Sequence, residues 1–187
     1  MTNKTPFYIL NTVQDSEVIV AILPILNDQL ARSDECHHNS GANLHVFHDK
    51  TAFEDYAAIT PIGVKGFGKA LFAVAIGHGT VHLSCKFGGK SSIILLTNIL
   101  HIPAVRSNLV SGVRLDRAGL TTKLSRGAII LSFKEKPLIC GAIKHNMYLL
   151  DTEIVRSHSP SNSTNKFNDN IPQIAAINSH DPDFYIA

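Results

Sequence analysis

The chain has no tryptophan, two methionines and only three cysteines among its 187 residues. Cys36, Cys85 and Cys140 are odd in number and far apart, so they give neither a disulfide framework nor the Cys-x-x-Cys pairs of a structural zinc site. Disulfide-dependent secreted domains are richer in cysteine than this. We therefore expect reduced thiols and an intracellular protein, in the cytoplasm or nucleus.

The sequence also has little net charge and no long apolar run. Seventeen basic and fifteen acidic residues leave a formal net charge of +2, without the Lys and Arg clusters of a nucleic-acid-binding surface. The longest apolar run, residues 18–26, is interrupted by Pro24 and is about half the ~20 residues that span a bilayer. It follows acidic residues, unlike a signal peptide. We expect neither nucleic-acid binding nor membrane insertion.

What the sequence does contain is a series of short apolar segments that end at glycine. Residues 70–76 precede Gly77, and residues 80–85 precede the pair Gly88-Gly89, a pattern typical of strands and hairpin turns. Further strand candidates are residues 92–96, 128–133 and 138–140. Their recurrence at intervals of about ten residues is typical of a small all-β barrel or sandwich.

A single short helix and two chain ends complete the expected organisation. Ser111 is a good N-cap and Gly119 a good stop, which predicts one or two helical turns between them. Residues 34–152 are expected to form the β-domain. The apolar run within residues 1–33 fits a strand or a short helix equally, so the structure of that extension stays open. Residues 153–187 are polar and are expected to be a flexible tail.

The most informative segment is the tetrapeptide Asn39-Ser40-Gly41-Ala42. With Asp at its first position it would be the catalytic loop of an aspartic protease. Four further blocks follow it in fixed order: residues 75–83, 96–103, 107–115 and 146–150. Together the five blocks resemble the retropepsin-like protease domain of copia-type long-terminal-repeat retrotransposon Pol polyproteins.

This resemblance implies a small retropepsin-like β-barrel that is active as a homodimer, in which each copy contributes one loop to a shared site. Asn39 then occupies the place of the catalytic Asp, Ser40 that of the bracing hydroxyl, Gly41 the bend and Ala42 the small residue behind it. The partners implied are a second copy of the chain and a peptide or polyprotein segment held in the groove.

The chain departs from this family at two positions of the loop. Cys36 stands where the family often has Trp, and Asn39 stands where it has Asp. A dyad of two carboxylates works by sharing one proton, so that one acts as base and the other as acid. A carboxamide has nearly the same shape but does not titrate. We therefore expect the fold without peptidase activity.

Several single motifs also have other interpretations. Asn, Ser and Gly all favour turns, so the tetrapeptide alone predicts no more than a turn. The glycine-rich residues 63–69 lack P-loop spacing and fit a hairpin turn near the substrate-covering flap. Residues 109–112 fit either the hydrophobic turn beneath the loop or a strand running into the helix cap.

The ten histidines raise a metal hypothesis, chiefly at His37, His38, His45 and His48. No Cys, Asp or Glu stands at a companion spacing that would complete a site. We expect scattered surface or loop histidines, with no metal and no other cofactor.

Three functions remain open at the level of sequence. The first is a retrotransposon-derived, protease-like domain that is catalytically inactive. The second is an active homodimeric aspartic endopeptidase that processes a polyprotein, which deamidation of Asn39 would allow by restoring the acid. The third is a non-enzymatic β-domain that binds peptide or protein.

Overall fold

The computed structural model describes residues 7–10, 33–65 and 72–156. This part of the chain is built of β-strands with one short α-helix, α1, at Gly112–Arg117, so the prediction of an all-β domain with one short helix is confirmed. The strands, in chain order, are β1 Phe7–Leu10, β2 Cys36–Asn39, β3 Val46–Phe47, β4 Ala57–Lys65, β5 Phe72–Phe87, β6 Lys90–His101, β7 Asn108–Ser111, β8 Leu120–Ser125, β9 Ala128–Phe133, β10 Lys136–Lys144, β11 Met147–Leu150 and β12 Thr152–Val155.

All of these strands belong to one mixed sheet that curls on itself. The main path is β12-β5-β6-β3-β7-β2-β11-β10-β9-β8, with β1 on β6 and β4 on β5. Asp151 alone separates β11 from β12, so the strand that pairs with β2 runs directly into the strand that pairs with β5. The path from β5 to β2 is thereby closed into a ring. Beside this closure, the Cys140 sulfur of β10, the strand next to β11, lies 3.8 Å from the Lys86 carbonyl oxygen of β5.

The long strand β5 corrects one expectation. The sequence predicted two strands separated at Gly77, but β5 continues through Gly77 and Gly79. A Cβ atom at Gly77 would lie only 2.2 Å from the Tyr56 hydroxyl oxygen. Glycine at this position therefore makes room for an aromatic ring packed against the strand and does not mark a turn.

The apolar side chains divide into two clusters. The larger is built around Phe47, Leu83, Ile99 and Leu131, all almost completely buried. The smaller contains Ala42 and Leu44 from the segment after β2 together with Val64, Ala73, Ala75, Leu100, Ile102, Val105 and Leu109. The smaller cluster packs the β4–β5 hairpin against the segment that follows β2.

Within residues 72–156, four two-residue hairpin loops connect neighbouring strands. At each loop both residues have positive φ, which is the requirement of a type I′ turn. Two loops follow the common use of glycine, at Gly88-Gly89 and Arg126-Gly127. The other two, Lys134-Glu135 and His145-Asn146, place residues with side chains in the left-handed region, which is an unfavourable conformation for most of them.

Described strands extend beyond both expected boundaries of the β-domain, residues 34 and 152. β1 pairs in parallel with residues 93–96 of β6, so the amino-terminal extension contributes a strand. β12 continues to Val155, past the expected boundary at residue 152. The apolar run 18–26 and residues 157–187 lie outside the described residues, as does the end of the glycine-rich segment after Lys65. In the described part, no helix is long and apolar enough to cross a membrane.

Candidate functional site

The tetrapeptide singled out by the sequence forms a tight turn at the end of β2. Asn39 is the last residue of that strand, Ser40 and Gly41 are exposed, and Ala42 is fully buried. The Gly41 backbone N–H donates to Oδ1 of Asn39 at 2.8 Å. The Ala42 N–H points back to the Asn39 carbonyl oxygen at 3.5 Å. The four residues 39–42 are called the loop below.

The pairing of β7 with its two neighbouring strands sets the position of this loop. β7 lies between β2 and β3, the two strands that flank the loop. It pairs in parallel with β2, with Asn39 opposite Ser111, and antiparallel with β3, with Val46 opposite Leu109. The loop must therefore cross over the end of β7, which fixes where its turn can lie.

Ser111 at the end of β7 ties the loop to the helix. Its hydroxyl donates to the Ala42 carbonyl oxygen and accepts from the Arg114 backbone N–H at 3.1 Å. The second bond is an N-cap of α1, as the sequence predicted. Because Ser111 is fully buried, both bonds are shielded from water.

Gly112 allows the loop to lie close to the start of α1. A Cβ atom at this position would be 2.8 Å from Nε2 of His38 and 3.1 Å from Cα of Ser40. Any side chain would push against the loop backbone. Residues 109–112 thus satisfy both interpretations of the sequence, since they are a strand running into a helix cap and also lie beneath the loop.

Two buried polar side chains support the residues just after the loop. Arg114 is 2% exposed, and its Nε donates to the Asn43 carbonyl oxygen at 2.7 Å. Nδ1 of His45, which is completely buried, accepts from the Ser111 backbone N–H at 2.9 Å. No clear signal in the sequence indicates Arg114, because a contact 71 positions away along the chain brings it to the loop.

The chemistry of the loop is neutral to basic. No Asp or Glu occurs between residues 36 and 48, and Asn39 does not titrate. Burial lowers the pKa of His38. Burial, with a smaller effect of the Arg114 charge, lowers the pKa of His45 to about 3. At neutral pH these two imidazoles are uncharged, and neither the loop nor its flanking strands supplies a carboxylic acid for acid–base chemistry.

Three further histidines, His37, His48 and His101, are also buried. The expectation of scattered surface or loop histidines was wrong for His37, which is buried within β2, whereas His45 and His48 lie in loops as expected but are buried. Nε2 of His48 lies 3.0 Å from the Ser33 carbonyl oxygen, and Nδ1 of His101 lies 3.0 Å from the Tyr56 hydroxyl. Within residues 7–10, 33–65 and 72–156, no three His, Cys, Asp or Glu side chains are grouped so that they could hold a metal ion.

The β4–β5 hairpin lies beside the loop. Val64, Ala73 and Ala75 point into the small cluster with Ala42. Val74 and Ile76 alternate with Ala73 and Ala75 along β5 and lie on the opposite face; together with Ile62 they are 37% to 44% exposed. The hairpin is therefore attached to the loop by one face and presents apolar side chains on its other surfaces.

A cavity of about 870 Å³ lies elsewhere, between β10, β11 and β12, and none of its lining residues belongs to the loop. Two of its carboxylates are already engaged by basic residues of the same chain. Lys144 contacts Glu35, and Arg156 contacts Asp34 at 2.9 Å.

Residues 37–120 match the family model described as the beta-barrel domain of the Pol polyprotein. The matched span begins in β2 and ends at the first residue of β8, so it contains the loop, the β4–β5 hairpin, β7 and α1. Comparison with curated proteins and with solved structures finds no significant match. The family match supports a domain derived from a Pol polyprotein.

Proposed function

We propose that this chain carries a copia-type, retropepsin-like domain of a retrotransposon Pol polyprotein that has lost its peptidase activity. The observation that carries the proposal is the loop. Asn39 stands at the position of the catalytic acid, in a turn whose remaining residues and supports are intact. Ser40, Gly41, Ala42 and the underlying Ser111 keep the turn while the titrating group is gone.

The loss of activity follows from the chemistry of the dyad. One carboxylate must take a proton from water while the other gives a proton to the substrate carbonyl. In a homodimer both positions would be Asn39, so neither proton transfer has a group to perform it. His38 and His45 do not replace the acid, because the neutral imidazole of His45 is completely buried and Nε2 of His38 is buried next to Gly112.

The same substitution is compatible with a dimer. Two carboxylates facing each other repel unless they share a proton, whereas two carboxamides can donate and accept hydrogen bonds to each other. We therefore propose a homodimer around the loop, with an extended peptide or polyprotein segment as its ligand. The three cysteines are free thiols in the described structure, which fits an intracellular setting.

The decisive experiment is the change Asn39→Asp. Purified wild-type protein and the Asn39→Ala control should not cleave a peptide library at mildly acidic pH. Asn39→Asp should gain cleavage that pepstatin inhibits, because it restores both carboxylates of a homodimer. Cleavage by the wild type, with intact mass showing Asn39 unconverted, would refute the proposal.

A peptide-binding role without catalysis is favoured by the exposed apolar residues of the β4–β5 hairpin, Ile62, Val74 and Ile76. Peptides recovered from the same library by the wild-type protein should lose affinity when Val74 and Ile76 are changed to Thr. Leu124→Thr is the matched control, since Leu124 is about half exposed but lies on β8. Equal loss with the control would argue against binding at the hairpin.

A further inference from the structure

We infer that Asn39 is a site of spontaneous deamidation, which makes the chemical identity of the loop change with the age of the protein. The backbone nitrogen of Ser40 attacks Cγ of Asn39, and ammonia leaves as a cyclic succinimide forms. Water then opens the ring to give aspartate or isoaspartate. The reaction needs no reagent other than water.

The residue after the asparagine is the first argument. Attack requires the next backbone nitrogen to approach the side chain, which a small following residue permits and a bulky one hinders. Asn39 is followed by Ser40 and then Gly41, both exposed. The other asparagines of the described residues are each followed by a large apolar residue: Asn43 by Leu44, Asn98 by Ile99, Asn108 by Leu109 and Asn146 by Met147.

The hydrogen bond inside the turn is the second argument. The Gly41 N–H points at Oδ1 of Asn39 at 2.8 Å. During attack by the Ser40 nitrogen, this oxygen takes up negative charge in the tetrahedral intermediate. A backbone N–H already aimed at the oxygen stabilises that charge without reorganisation, as a donor of an oxyanion hole does.

The two products have different consequences for the loop. Aspartate at position 39 places a carboxylate where the proposed function locates the missing acid, and this consequence rests on that proposal. Isoaspartate inserts an extra methylene into the backbone of a turn that is tied at Ser111 and packed against Gly112. The added length should disrupt the bond between Asn39 and Gly41 and loosen the loop.

The test follows conversion at each asparagine by peptide mapping during incubation of the full chain at neutral and mildly alkaline pH. Asn39 should convert several-fold faster than Asn98 and Asn146, which serve as internal references and are more exposed than the half-buried Asn39. Ser40→Val should slow conversion at Asn39 several-fold, and Ser40→Gly should speed it. Conversion no faster than at the reference sites, or unchanged by Ser40→Val, would overturn the inference.

The contribution of the turn is tested by repeating the incubation in urea. Unfolding removes the bond from the Gly41 N–H, so conversion at Asn39 should become slower than in the folded protein. An equal or higher rate in urea would overturn the role assigned to the turn. Because the readout is mass, this experiment can fail while the peptidase proposal stands, and the peptidase proposal can fail while deamidation is observed.

Discussion

Acidification should destabilise this domain through protonation of the buried imidazole of His45. His45 is completely buried and accepts the Ser111 N–H through Nδ1. Burial first, and the Arg114 charge second, lower its pKa from 6.5 to about 3. The unfolded chain therefore binds a proton at His45 that the folded protein does not. The free energy of unfolding must then fall as pH decreases below about 6.5.

The expected size follows from the linkage relation. Each pH unit below the unfolded pKa removes about 1.4 kcal/mol from the free energy of unfolding for one excess proton. Between pH 7.5 and about pH 5 the loss is about 2 kcal/mol from His45 alone. Burial also lowers the pKa of His37, His38 and His101, so the wild-type loss should be larger than this.

The contribution of His45 is isolated by the change His45→Asn, because the Asn Oδ1 can still accept the Ser111 N–H but does not titrate. Urea unfolding at a series of pH values gives the free energy of unfolding of both proteins. The variant should lose about 2 kcal/mol less than the wild type over this pH range. Parallel pH profiles for the two proteins would refute the assignment of a buried, neutral imidazole at this position.

Three substitutions test the supports of the loop and the hairpins by urea unfolding. Ser111→Ala removes the helix cap and the bond to the loop carbonyl, so it should lower the free energy of unfolding by about 2–3 kcal/mol. Ser125→Ala, at an exposed position, should leave it nearly unchanged. Equal losses in the two variants would contradict the role of Ser111. Gly112→Ala forces a methyl group against His38 and should lower the free energy of unfolding by about 1–3 kcal/mol. An unchanged urea midpoint would show that the loop moves to make room for the methyl group. Glu135→Gly relieves a positive φ and should add about 0.5–1 kcal/mol, so a lower midpoint would count against strain in that turn.

Features that depend on local chemistry were predictable from the sequence. Ser111 caps α1 and Gly119 follows its end with positive φ, because capping involves residues within one turn of each other. The strand at 128–133 and the turn at Gly88-Gly89 were likewise predicted where the structure has them.

Features that depend on distant residues were not predictable. Gly77 resembles a turn in the sequence, and only the ring of Tyr56, 21 positions earlier in the sequence, explains why it lies within a strand. Arg114 resembles an ordinary helix-surface arginine in the sequence. In the structure it is buried, and its Nε donates to the carbonyl oxygen of Asn43, the residue after the loop. The burial of His48 and His101 was not predictable for the same reason, since the carbonyl groups that they contact belong to Ser33 and His48 in remote segments.

The pairing of β5 with β12, close to the end of the described chain, matters while the domain is being synthesised. β5 leaves the ribosome long before β12, whose residues 152–155 pair with residues 82–85 of β5. Until those residues are synthesised, one edge of β5 is open there, and open edges pair readily with other chains. A chain that ended before Thr152 would leave this edge of β5 open and prone to aggregation, whereas a chain that extends through Val155 covers it.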